Sequence, residues 1–189
     1  MAVGVETYGT YKVRIEGIRP LLMHRFAPGE NGSSTKRKRQ PDLEKQAEAA
    51  VYRDAEGRIV VPSLNLLAAL RAAASDFRVK GRGKKTFKNY IFAGVHIEPP
   101  EIPLEFEPHG DKPWAVDVRP VVINRARVPA ARPRFDKWAL EFTIHIVDPI
   151  IDGDALRAIL ESAGRYIGLC DFRPLFGLFK VVQFERLDN

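Results

Sequence analysis

The stretch WALEFTIHIVDPIIDGDALRAILESAG, residues 138 to 164, decides the fold. Trp138, Leu140, Phe142, Ile144 and Ile146 alternate with more polar neighbours, the period of a strand with one buried face. So long an alternation predicts a central strand. The period then changes: Leu156, Ile159, Leu160 and Ala163 recur every three or four positions, which predicts a helix turned inward along one stripe. Asp152 or Asp154 is placed to cap its start, and Gly164 to end it.

Toward the C-terminus, GRYIGLCDFRPLFGLFKVVQFE (164–185) reads as a glycine-punctuated loop running into a last strand. Toward the N-terminus, TYKVRIEG sets Tyr11, Val13 and Ile15 against Lys12, Arg14 and Glu16, predicting a first strand over about Thr10 to Ile18. PSLNLLAALRAAASDF reads as a helix with Ser63 as cap and Leu64, Leu67, Leu70 and Ala74 at helical spacing. AGVHIEPPEIPLEFEP offers short strands broken by prolines, at an edge or a bend. The order strand, helix, strand, strand, helix, strand predicts an α+β, ferredoxin-like fold as one domain over residues 1–189. Four antiparallel strands would carry both helices on one face and leave the other face open for a ligand. Two insertions interrupt this order. Residues 26–58 begin as a mobile loop, FAPGENGSSTKRKRQPD, and continue through a short polar helix at DLEKQAEAAVYR; residues 107–137 form a basic, strand-prone insertion.

With 30 Lys and Arg against 24 Asp and Glu, the formal charge is +6, which favours polyanionic partners. The single cysteine, Cys170, excludes an internal disulfide, and no Cys/His cluster has zinc-ligand spacing, so neither metal nor cofactor is expected. No apolar run approaches the ~20 residues that span a bilayer, and the N-terminus lacks the apolar core of a signal peptide. A cytoplasmic protein without membrane contact is expected.

The candidate nucleic-acid contacts fall in three groups. Arg78, Lys80, Arg82, Lys84 and Lys85 follow the helix that begins at Ser63 and are hinged by Gly81 and Gly83, while Lys36 to Arg39 form a second basic run. Arg119, Arg125, Arg127, Arg132 and Arg134 lie among prolines in the mid-chain insertion, at a density that surface ion pairs alone hardly explain. Arg165, Arg173 and Lys180 border the glycine loop, where backbone N–H groups and cations can hold phosphates, and Phe172 and Phe176 are placed to stack on bases. The plainer alternatives are a helix cap at Gly164, core phenylalanines and solvated loops. His24 and Asp42 are the residues from which acid–base cleavage of RNA would be drawn, but nothing around either forms a motif, and no catalytic residue is assigned. His96 and His109 have no partner in view, and His145 falls on the polar face of the central strand.

These features resemble the CRISPR-associated RAMP superfamily. GRIVVPSLNLLAALRAAA is similar to its short strand, proline, capping serine and helix ending in ALR, at Val61, Pro62, Ser63, Ala69, Leu70 and Arg71. AGRYIGLCDFRPLFGLFKV is similar to its helix-to-strand glycine loop, at Gly164, Gly168 and Gly177, with Cys170, Leu175 and Leu178 where small residues are usual. The resemblance implies an RNA-recognition-like ferredoxin fold. With an insertion after the first strand and a thumb-like one in mid-chain, it further implies a backbone subunit of an antiviral ribonucleoprotein complex, binding single-stranded guide RNA and oligomerising along it, alongside other effector subunits. Binding rather than catalysis is expected. The alternatives are a metal-independent RNA-processing endoribonuclease of the same superfamily with His24 as general base, a phage single-stranded DNA-binding protein, and a structural assembly protein.

Overall fold

Residues Trp138–Ile146 form a strand hydrogen-bonded on both sides, the place that their alternation predicts. The computed structural model describes residues 6–25, 42–123 and 125–187. Along these the elements run β1 (Gly9–Gly17), β2 (Leu21–Leu22), α1 (Leu43–Ala49), β3 (Val60–Pro62), α2 (Ser63–Ala73), α3 (Ile91–Gly94) and β4 (Val95–Glu98). There follow β5 (Glu101–Pro103), β6 (Glu105–Phe106), β7 (Ala115–Ile123), β8 (Ala126–Phe135), β9 (Trp138–Ile146), α4 (Gly153–Ser162) and β10 (Phe179–Leu187). The basic run Lys36 to Arg39 lies outside the described residues, as does the 26–41 part of the first insertion.

The main sheet has the order β10-β1-β9-β4, every neighbouring pair antiparallel, and β6 also pairs with β9. Beyond it stand a three-stranded sheet, β2-β8-β7, and the pair β3-β5. The protein is thus α+β with antiparallel sheets, and its described strands outnumber the expected four because the mid-chain insertion builds a hairpin and the proline-broken segment three short strands. Tyr11, Val13, Ile15, Leu140, Phe142, Ile144, Val95 and Ile97 turn one face of the main sheet into the core, where Leu66 and Leu70 of α2 and Leu156, Ile159 and Leu160 of α4 meet them. Each such aliphatic side chain contributes roughly 1.5–3 kcal/mol by leaving water. Among the described residues no helix is long and apolar enough to cross a membrane.

Local chemistry departs from the sequence reading at three points. Ser63 is the first residue of α2 rather than its cap; Pro62 holds the cap position, no side chain caps the helix, and the Ser63 N–H donates to the Pro100 carbonyl at 2.8 Å. The buried stripe of α2 is Leu66, Ala69, Leu70 and Ala73, while Leu64 is 71% exposed. Gly164 does not end α4: the chain continues through a π-helical turn, Ala163–Ile167, and stops at Gly168, whose φ is 78°. A Cβ at Gly164 would lie 2.4 Å from the Phe179 carbonyl oxygen, so this glycine lets α4 press onto the start of β10. Asp152 caps α4 as expected, accepting from the Ala155 N–H at 2.7 Å.

Gly177 has φ 73°, and a Cβ there would sit 2.1 Å from the Leu169 carbonyl oxygen, whereas Gly81, with φ 75°, has open space around it. Gly177→Ala is expected to cost at least ~3 kcal/mol in urea denaturation and Gly81→Ala only ~1 kcal/mol, because only the first adds a backbone clash to the left-handed strain. Equal losses would mean that loop packing does not depend on this close approach.

Candidate nucleic-acid interface

The open face of the main sheet is the surface on which the sequence led us to expect a ligand, and its cations Lys12, Arg14 and Lys180 are already paired with carboxylates. Lys12 meets Glu141 at 2.9 Å, Arg14 holds Glu105 through two hydrogen bonds of 2.8 and 2.6 Å, and Lys180 meets Glu16 at 3.0 Å. Hydrogen bonding to Arg14 pulls the Glu105 carboxyl below its usual range. His96 and His145 both lie against Glu98, at 3.2 and 3.4 Å, so His96, expected to lack a partner, has one two residues along its own strand. A cleft of about 430 Å³ at one end of this face is lined by Glu16, Glu105 and Glu107 with Lys137 as its only cation, a poor place for a phosphate chain.

Three of the five mid-chain arginines, Arg119, Arg132 and Arg134, also have counter-charges, contrary to the expectation that they lack them. Arg119 donates to both oxygens of Asp117, at 2.6 and 3.2 Å, and Arg134 pairs with Asp136 at 2.8 Å. Arg132 is 7% exposed and bonds Asp171 of the glycine loop across 39 residues of sequence. The rings of Phe172 and Phe176 carry these arginines: Arg132 Cζ lies 4.7 Å from the Phe172 centroid, and Arg119 Cζ 4.6 Å from that of Phe176. Such contacts are worth ~0.5–2 kcal/mol each and take up ring surface that a base would need. Phe179 is core. Arg125 and Arg127, on either side of Ala126 at the start of β8, and Arg165 and Arg173 of the loop are exposed, with no ion pair among the described residues.

The glycine loop closes on itself rather than opening toward a ligand. Leu169 N–H donates to the Gly177 carbonyl at 2.9 Å, and Gly168 and Gly177 are buried where the two ends of the loop meet. Asp171 and Gly177 donate to the carbonyls of Leu22 and Pro20, at 2.9 and 2.8 Å, which stitches the loop to β2. Cys170 and Phe172 both adopt positive φ, 60° and 53°, a strained conformation for non-glycine residues that brackets Asp171. Burial pushes the Cys170 thiol up to about 12, so it stays protonated and is no nucleophile at neutral pH. His24 is exposed 3.8 Å from Asp171. Asp42 is the N-cap of α1; the Lys45 N–H it accepts holds its carboxyl below the usual range, and Glu44 and Glu48 pair with Lys112 and Arg53. Among the described residues no three His, Cys, Asp or Glu side chains are arranged to hold a metal ion.

What remains is the segment between α2 and α3. Arg78 bridges to Thr86, Val79 N–H donates to the Lys85 carbonyl at 2.9 Å, and Lys85 N–H to that of Arg82 at 3.2 Å. Buried Val79 and Phe87 root this basic arm in the core, while Gly81 and Gly83 turn its tip. Arg78, Lys80, Arg82, Lys84, Lys85 and Lys88 are all exposed and have no ion pair among the described residues. From Leu64 to Ile97 the chain has seven Lys or Arg and one acid, Asp76, so this segment alone carries an excess of six positive charges, the whole formal excess of the protein.

Asp171→Ala would leave the Arg132 guanidinium buried without a counter-charge. The expected loss is about 3 kcal/mol, the lower end for a broken buried pair because Asp171 is itself part-exposed, and Arg132→Met with Asp171→Leu should recover at least half of it in chemical denaturation. Equal losses for the single and double variants would deny that the pair clasps hairpin to loop. Compared with known proteins, the chain matches no protein-family model and no curated protein sequence.

Proposed function

We propose that this protein binds single-stranded RNA through phosphate contacts made chiefly by the basic arm. The observation that carries the reading is the concentration of a charge equal to the chain's whole net positive charge in one segment, on exposed side chains with no ion pair among the described residues. A folded arm presents these cations at little ordering cost, and phosphates would replace the counterions they otherwise attract. Arg125, Arg127 and Arg173 are secondary contacts.

The fold reading beneath this is ferredoxin-like, of the RAMP type. Its support is the order β10-β1-β9-β4, with α2 joining β1 to β4 in sequence and α4 joining β9 to β10; β2, β3, β5, β6 and the hairpin β7–β8 are additions to that core. In this reading copies of the cytoplasmic protein line up along one guide RNA in a ribonucleoprotein complex. The hairpin reaches the next copy, and its exposed Val118 and Val122 support such a contact.

Fluorescence anisotropy with matched RNA and DNA oligonucleotides, repeated between about 50 and 200 mM salt, tests the proposal. RNA should win the competition, and log affinity should fall steeply with log salt. Replacing Lys80, Arg82, Lys84 and Lys85 by Ala should reduce that slope by about 3, because each lost phosphate contact removes roughly 0.7. An unchanged slope would move the interface elsewhere, and a preference for DNA would replace RNA as the ligand.

His24, exposed 3.8 Å from Asp171, favours a second reading, metal-independent cleavage of bound RNA with His24 as general base. His24→Ala should then abolish cleavage of a labelled RNA and leave its affinity unchanged. Identical product formation by the variant would end this reading.

A further inference from the structure

Phe92 is an exposed aromatic that the fold does not need. Its neighbours Ile91 and Gly94 are buried, yet its own side chain is 53% exposed. It lines a cleft of about 350 Å³ together with Ala68, Arg71, Ala72 and Ser75 of α2 and the turn after it, and with Lys88 at the end of the basic arm. Arg71 Cζ lies 4.9 Å from the ring centroid and covers one face of the ring, beside the methyl groups of Ala68 and Ala72; unlike Arg119 and Arg132 it has no carboxylate partner among the described residues, so it is free to give way to a base or to stack on one. A helix surface made only for solvent would carry long polar side chains here; small ones leave the gap open.

We propose that this cleft is a base pocket, taking one unstacked nucleobase of a single strand whose flanking phosphates lie along the basic arm. The inference rests on the reading of the arm as an RNA interface. The pocket's two charges, Arg71 and Lys88, are both cationic. A nucleobase is a flat, largely apolar group delivered between two phosphates, which matches an aromatic cleft continuous with a cationic arm. Base faces stack on phenylalanine rings and on guanidinium planes alike, and Ser75 Oγ is a donor or acceptor for a base edge. The pocket supplies what the arm lacks, since lysines and arginines on phosphates are indifferent to whether a base is present.

The test compares a uridine-rich 12-nucleotide RNA with a ribose-phosphate oligomer of the same length bearing no bases, both labelled, against the full chain at low salt. The wild type should bind the base-bearing strand about tenfold tighter, as loss of one stacking contact implies. Phe92→Ala should abolish that preference while leaving the salt slope intact, and Phe92→Trp should keep the preference and show indole quenching on binding. A wild type that binds both oligomers equally, or a Phe92→Ala variant that keeps the preference, would overturn the pocket and leave the arm untouched. Binding of neither oligomer would overturn the RNA-binding reading and the pocket with it.

Discussion

A guanidinium taken out of water has to be met by a carboxylate, and around Arg132 that single requirement ties the β7–β8 hairpin, β2 and the glycine loop together. Removing a cation from solvent without a partner costs several kcal/mol, so Asp171 must be delivered to it from a different part of the chain. Delivery bends the backbone into left-handed conformations at Cys170 and Phe172, and the bend is held by the zip between Leu169 and Gly177 and by the bonds to Pro20 and Leu22. Only residues without a Cβ tolerate the approach where the two ends of the loop touch. The same guanidinium then lies on Phe172. Hairpin, β2 and loop therefore form one clasp, whose positive charge is consumed internally.

That consumption decides where the protein can meet a polyanion. Arginines paired at 2.6 and 2.8 Å have little field left to offer, and moving them onto phosphate would strand Asp117, Asp136 or Asp171. On the basic arm no such exchange is needed. Like charges side by side repel by about 1 kcal/mol or less per pair in water, a modest cost for a folded arm to carry and one that a bound phosphate chain turns into attraction.

The sequence made legible what depends on near neighbours. β9 and α4 each carry a single strong period over nine or ten residues, and one packed face follows from each. The basic arm is legible for the same reason, since no acid interrupts it. β8 is not, because Pro129 and Pro133 and its arginines hide the alternation, and its pairing with β7 takes up the whole hairpin. The stripe of α2 is ambiguous where eight of eleven residues are alanine or leucine, so its frame is set by the sheet beneath it rather than by its own pattern. The clasp is least legible. Glycines at 164, 168 and 177 announce a close approach, but a sequence does not say whether ligand or protein backbone makes it, and Arg132 lies 39 residues from Asp171.

Separating a neutral, strained clasp from a charged, rooted arm has a functional logic. Phosphate contacts by exposed lysines and arginines give affinity without fixing where along a strand the protein sits. Register needs a group that recognises something occurring once per nucleotide, and the cleft at Phe92, as proposed, answers that need with few atoms. The arm is joined to that cleft by Phe87, which roots one in the core, and by Lys88, which lines the other. In the proposed reading, charge brings a strand to the surface, and Phe92 on the short helix after the arm sets its position.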